Sequence, residues 1–345
     1  MTFTQPRAGV KCDGKGGTAG PPRRVLLWGN VSIAGSSSWR KRFVFRAERQ
    51  AAGGGALPSQ ACDRGPGVFV GVDMARIPLE DNFDDVINKA QRGLRLSDGE
   101  LGRRAGISPA ALRALKDGAF DEAAARAVAP VLRLGADQLA ALGRKAWYPE
   151  AVMPPRGFAL FNTPFADMTV NSYLVWDPRT RRAAAFDTGA TCEPMLGAIE
   201  TEKLTVRYLF LTHTHEDHVA DAARLVAATG AEIYSSEREP FPGGKTFREN
   251  QTFHLDSLAI KTLLTWGHSP GQTTFLITGL AWPLAICGDS MFASSMGGGL
   301  VSYEDQYRND VEKIFTLPRD TVIAPGHGPL TTLGQEKKHN PFFTG

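Results

Sequence analysis

The stretch Leu209–Asp221, LFLTHTHEDHVAD, sets the tightest limit on this chain, because three histidines and two aspartates fall within nine residues directly behind the apolar run VRYLFL. A short apolar run of that kind reads as a buried strand, and the amphipathic DHVADAARLVAATG after it reads as a helix beginning near Asp217. His213, His215, Asp217 and His218 therefore lie on a strand-to-helix connection, where side chains converge at the end of a sheet. Two histidines at i and i+2 can reach one ion from a loop, while Asp217 and His218 point past it toward a second position. Imidazole together with carboxylate suits zinc, and also iron or manganese.

Three later turns carry the same donor types: WGHSPGQT with His268, CGDSMF with Asp289 and APGHGP with His327. Each is flanked by glycine, which lets the backbone approach an ion closely. His254 and His339 match no motif and read as surface residues, and Cys287, on an apolar strand, reads as a small buried thiol. AEIYSS, LAIKTLL, TTFLIT, PLAICGD and TVIAPGH read as strands and YEDQYRNDVEKIF as a further amphipathic helix. Residues 151–345 thus alternate strands and helices, the pattern of an α/β domain with helices packed outside its sheets.

THTHEDH, GHSPGQT, CGDS and PGHGP, in that order, resemble the metallo-β-lactamase fold family, and DTGA at Asp187–Ala190 resembles the strand-end motif that precedes them there. The resemblance covers nearly all of residues 157–345 and implies a four-layered αβ/βα sandwich. It also implies that His213, His215 and His268 hold one metal, that Asp217, His218 and His327 hold a second, and that Asp289 bridges the two, with Asp217 and Asp289 the carboxylates of the catalytic site. Six terminal donors and a bridging carboxylate are too many for one tetrahedral ion, whereas two ions with a water between them can use all of them. The expected cofactor is a pair of zinc ions, with iron or manganese compatible at either position. For Asp187 two readings stay open: orienting a metal-bound histidine through its free ring nitrogen, or capping the DTG turn.

Within that family a bridging aspartate argues against lactam hydrolysis, and PGHGPLTTLGQEKKHNPFF resembles the end of compact glyoxalase II-type thioester hydrolases. This implies a small-molecule thioester substrate, such as a hydroxyacylglutathione, attacked by a metal-bridging hydroxide. MGGGLVSYEDQYR stands where many relatives carry a GRTDF-like segment, which leaves the substrate open. Two alternatives fit the motifs: a persulfide dioxygenase with a single iron, and a DNA-binding regulator whose metallo-β-lactamase domain senses a metabolite.

Upstream, residues 78–147 read as a helical domain, with apolar positions at three- and four-residue spacing and breaks at Gly93, Gly106, Gly118 and Gly135. Inside it, LSDGELGRRAGISPAALRALKDG resembles the phage-repressor-like helix-turn-helix family, which implies that Ser108, Ala110, Arg113 and Lys116 face a DNA major groove. The competing reading is a bundle used for packing or dimer contact. Residues 74–150 carry 12 Lys/Arg against 11 Asp/Glu, a weak electrostatic footprint for a DNA binder.

The basic excess lies in residues 1–73, with 11 Lys/Arg against 4 Asp/Glu. This Gly/Arg-rich segment shows no sustained periodicity and reads as disordered, with Met74 an alternative natural start. Four scattered cysteines, Cys12, Cys62, Cys192 and Cys287, form no CxxC pair and point to a reducing cytoplasm. No apolar run approaches the roughly 20 residues of a membrane span.

Overall fold

The computed structural model describes residues 76–344, so the expectations of disorder over residues 1–73 and of a start at Met74 lie outside the described residues. Helices α1 (Phe83–Gly93), α2 (Asp98–Ala105), α3 (Pro109–Lys116), α4 (Glu122–Val128) and α5 (Ala136–Gly143) come first. Their apolar stripes bury Val86, Ile87, Leu101, Leu112, Leu115, Leu132 and Leu139 in one core. The Ser97 and Ser108 hydroxyls accept from the backbone N–H groups of Glu100 and Ala111, which starts α2 and α3, and Gly106 at φ 68° ends α2.

That core is not closed by the helices themselves. Met296 and Phe342 are buried in it, and Tyr303 and Phe343 pack against it. Gly93 is the last residue of α1, at the expected break. A Cβ there would overlap the Tyr303 ring, so close packing rather than a turn accounts for this glycine. Among the four residues expected to face a groove, Ser108, Ala110 and Arg113 are exposed and Lys116 is partly buried. The Ser108 hydroxyl is spent on its cap, and Lys116 pairs with Asp98 at 2.5 Å.

The remaining chain builds two six-stranded mixed sheets. The first runs, in spatial order, β1 (Phe158–Phe165), β2 (Met168–Trp176), β3 (Arg182–Phe186), β4 (Thr205–Phe210), β5 (Glu232–Ser236) and β6 (Lys245–Phe247). The second contains β7 (Thr252–Leu255), β8 (Leu258–Leu264), β9 (Thr273–Thr278), β10 (Leu284–Gly288), β13 (Val322–Pro325) and β14 (Thr331–Thr332), in the order β14-β13-β10-β9-β8-β7. A short hairpin, β11 (Met291–Phe292) with β12 (Ser295–Met296), lies between β10 and β13 in sequence.

Alternation along the strands makes the layers. Tyr173, Val175, Phe186 and Phe210 of the first sheet meet Ile260, Phe275, Ile277 and Ile286 of the second in the central core. The opposite face of the first sheet, with Leu174, Ala185 and Leu209, packs on Met195 of α6 (Glu193–Glu202) and on Ala222 and Leu225 of α8 (Ala222–Thr229). The outer face of the second sheet, with Ala285, Cys287 and Ile323, packs on Ile314 and on Leu333 of α10 (Leu333–His339).

Two expected helices are broken. DHVADAARLVAATG gives α7 (Glu216–Val219) and then α8, because the His218 carbonyl accepts from Thr188 N at 2.8 Å and Thr188 Oγ1 at 3.1 Å. A continuous helix would need that carbonyl for its own ladder. YEDQYRNDVEKIF gives α9 (Tyr303–Asn309), followed by a π-helical turn at Asp310–Ile314. Among the described residues, no helix is long and apolar enough to cross a membrane.

Candidate metal centre

The donors converge from four strand ends. β4 leads into the connection bearing His213, His215, Asp217 and His218; the turns after β8, β10 and β13 bring His268, Asp289 and His327. His213, His215 and His268 form one group and Asp217, His218 and His327 another, with the donor atoms of each group within 4.8 Å of one another. Asp289 lies between them. Its Oδ2 is 3.4 Å from His268 Nε2 and 3.4 Å from His327 Nε2, and its Oδ1 is 3.3 Å from His218 Nε2. His268 Nε2 and His215 Nδ1 are 3.0 Å apart, and Asp217 Oδ2 is 3.3 Å from His327 Nε2.

Ring orientations are fixed from behind. His218 Nδ1 is 2.9 Å from Asp187 Oδ2, and His327 Nδ1 donates to the Thr169 carbonyl at 2.7 Å, so both Nε2 atoms face inward. Asp187 also accepts from Thr212 N at 2.8 Å and Thr212 Oγ1 at 2.7 Å, and that hydroxyl lies 3.0 Å from His213 Nδ1. The Asp187 side chain thus stands behind the His218 ring. The backbone of the DTG turn is held by Thr188.

Inside the cluster, His213 Nε2, His218 Nε2 and Asp289 Oδ1 are buried without any hydrogen-bond partner. Buried polar atoms are expected to be satisfied, so three orphans pointing at one space fit a cation there. Electrostatics agree. Burial alone would lower the basicity of both His218 and His327, yet the negative charge of Asp289 and its neighbours raises them to about 10 and about 11. Burial lowers His268 to about 4, and the nearby His215, His218 and Lys89 add to this against the pull of Asp289. Burial also opposes the charge of Asp289, but His327 and His218 more than offset it and hold that carboxyl well below its usual range. The field of Asp289 and its neighbours thus favours positive charge at His218 and His327.

Several supporting residues carry no motif. Glu239 accepts from Thr214 N (2.9 Å) and Thr214 Oγ1 (2.6 Å) with one oxygen, and from Ser269 Oγ (2.6 Å) and Gly271 N (2.8 Å) with the other. It thereby ties the His213–His215 connection to the His268 turn. Asn171, fully buried on β2, donates to the carbonyls of Pro325 at 2.9 Å and Gly328 at 2.8 Å and so holds the His327 turn. The polar NSY run within an otherwise apolar strand was a signal for Asn171; the sequence around Glu239 offered none. Asp221, without an expected role, accepts from Cys192 N at 2.9 Å and pins the start of α6.

Outside this centre, His254 is exposed as expected. His339 is half-buried and stacks on Trp147 with ring centroids 4.7 Å apart, which corrects its reading as a surface residue. Cys287 is fully buried, and burial pushes its thiol well up. The segment leading into α1 also reaches the site, since Glu80 N lies 3.3 Å from where a Cβ on Gly328 would stand, beside His327.

The layered α/β fold and this His/Asp cluster define the chain's class, and the metallo-beta-lactamase superfamily family model matches residues 166–327. The chain belongs to that superfamily. Hydroxyacylglutathione hydrolase GloC of Haemophilus influenzae is 31% identical over 198 residues, which cover 50% of this chain and 92% of that protein. A hydroxyacylglutathione hydrolase of Pseudomonas fluorescens is 28% identical over 157 residues, 45% of this chain and 60% of that protein. Among solved structures, ETHE1 from Myxococcus xanthus aligns with a TM-score of 0.46 at 24% identity, covering 53% of this chain and 83% of that one.

Proposed function

We propose that the chain is a dinuclear metal-dependent hydrolase acting on a thioester, such as a hydroxyacylglutathione. The observation that supports this reading is that seven donors form the overlapping groups His213–His215–His268, His213–His218–Asp289 and Asp217–His218–His327, with unpartnered buried atoms on His213, His218 and Asp289. Likeness to a GloC-type hydroxyacylglutathione hydrolase, most of whose length the chain covers, supports the substrate class.

In this reading His213, His215 and His268 would hold one ion, Asp217, His218 and His327 the other, and Asp289 would serve both. A pair of dications held there, zinc in the simplest case, would supply an acidified water as nucleophile near neutral pH and stabilise charge on a carbonyl oxygen. The chain's residues do the rest. Asp289 offsets the repulsion between the ions, Asp187 and the Thr169 carbonyl keep His218 and His327 in the tautomer that presents Nε2, and Glu239 keeps the two loops of the first group in register. A thiol leaving group, with a pKa of about 8.5, departs as thiolate with little need of a proton donor, which suits a site whose acids and imidazoles are all engaged.

The test is a thioester panel, S-lactoylglutathione included, followed by thiol release on protein of measured metal content, with oxygen uptake recorded in parallel. Hydrolysis of at least one thioester without oxygen uptake is expected. Silence on every thioester with metal bound defeats the substrate class, and oxygen uptake with a single iron would point to persulfide oxidation instead.

A further inference from the structure

The segment Ser302–Ile314 carries three polar residues that the metal centre does not explain. Gln306 and Asp310 are fully buried and Asn309 is 5% exposed, while Glu304, Tyr307 and Arg308 face solvent. Spacing of three and four places Gln306, Asn309 and Asp310 on one face of the helix. Burying polar groups there is costly unless each finds a partner.

Gln306 and Asn309 bond to the backbones of the two turns that carry metal donors, and Asp310 to the Ser290 hydroxyl, while Gln306 Oε1 and Asp310 Oδ2 keep no partner. Gln306 Nε2 donates to the carbonyls of Asp289 at 3.1 Å and Ser290 at 2.6 Å. Asp310 Oδ1 is 2.5 Å from Ser290 Oγ, and the π-helical turn beginning at Asp310 keeps this residue on the inward face. Asn309 Nδ2 donates to the Trp266 carbonyl at 2.8 Å, and the Gly267 carbonyl accepts from both Val301 N and Ser302 N at 2.9 Å. The approach is close enough to require glycine on both sides. A Cβ on Gly267 would stand 2.5 Å from Gln306 N, and one on Gly297 would stand 2.6 Å from Gln306 Nε2.

We propose that Gln306, helped by Asn309 and Asp310, is a positioning residue that sets the separation of His268 from Asp289, and through it binding at the His213–His215–His268 position. None of the three supplies a donor atom to the cluster. Gln306 and Asn309 hold the main chain next to Asp289 and His268, and Asp310 holds the Ser290 side chain, so the spacing of a terminal donor and the shared donor is set by one continuous segment. The same helix presents Tyr303 to Gly93 of α1, so the N-terminal helices brace the clamp.

The inference rests on the dinuclear reading and is tested by cobalt titration of metal-free protein, followed by visible absorption and by metal content. Gln306→Met keeps the volume and removes the two donated bonds. The expected result is a cobalt-binding step weakened about 10- to 100-fold with an altered spectrum, the other step nearly unchanged, while exposed Glu304→Ala behaves as wild type. Should Gln306→Met fail to fold, Asn309→Ala, which loses only the Trp266 bond, is expected to move the same step in the same direction. Two wild-type binding steps in the folded variants would overturn the proposal while leaving the dinuclear reading intact, and so would an equal loss at both steps. A wild-type chain that takes up only one cobalt would overturn the dinuclear reading, and the proposal with it.

Discussion

Asp187 Oδ2 stands 2.9 Å from Nδ1 of His218, and on the far side of that ring Nε2 stands 3.3 Å from Asp289 Oδ1. The imidazole is thus held between a carboxylate that orients it and one that shares its cation. Asp187→Ala is expected to weaken metal binding about 10- to 100-fold, because the ring loses both its tautomer and its direction. Competition with a chromogenic chelator measures this, and an unchanged affinity would remove Asp187 from the site.

Gly326 is the close-approach glycine of the His327 turn. A Cβ there would overlap Asp289 Oδ1 and come 2.7 Å from His218 Cε1. Gly326→Ala should displace the shared carboxylate, leaving a folded protein with depleted metal and little activity. Full metal content in this variant would contradict the placement of Asp289 between the two groups.

Glu239 accepts four hydrogen bonds across two loops, and these bonds outweigh burial to hold its carboxyl below the usual value. In Glu239→Gln one of the backbone N–H groups faces an amide donor instead of an acceptor. A loss of about 1–3 kcal/mol in stability is expected from denaturant melts, together with weaker binding at the His213–His215–His268 position. A variant with wild-type melts and metal affinity would show that the two loops hold their register without it.

Glu336 is fully buried, and burial raises its carboxyl from 4.5 to about 7 although Ser294 N, Asn340 Nδ2 and Thr331 Oγ1 all donate to it. The folded state therefore holds the proton more tightly than the unfolded state. This group's share of stability is greatest at and below pH 4.5, falls as pH rises toward 7, and stays low above it. Glu336→Gln, which mimics the protonated form, should gain on wild type across that window, by on the order of 3 kcal/mol at its upper end. A difference in stability independent of pH would show that Glu336 does not titrate there.

Much of the site could be read from the sequence because metal donors need particular residue types close together. The two histidines at i and i+2, the lone histidines beside glycine and Asp289 at the end of an apolar strand all carry that signature. Gln306, Asn309, Glu239 and Asn171 do not, because they act through main-chain atoms that any residue possesses. In the fold, largely apolar runs such as LAIKTLL announced β8, whereas β6 and β14 are too short for any period. The break between α7 and α8 depends on Thr188 taking the His218 carbonyl, a contact 30 residues away in sequence that no local pattern encodes.

The central claim is that two ions share Asp289 and act together. Metal-free protein titrated with zinc, with the hydrolysis rate of S-lactoylglutathione or another cleaved thioester read at each addition, tests it most directly. The account predicts a rate that climbs to a plateau only as the second equivalent per chain is bound, and a folded Asp289→Ala variant that loses both the second equivalent and the rate. A plateau complete at one equivalent, with the second ion changing nothing, would contradict it.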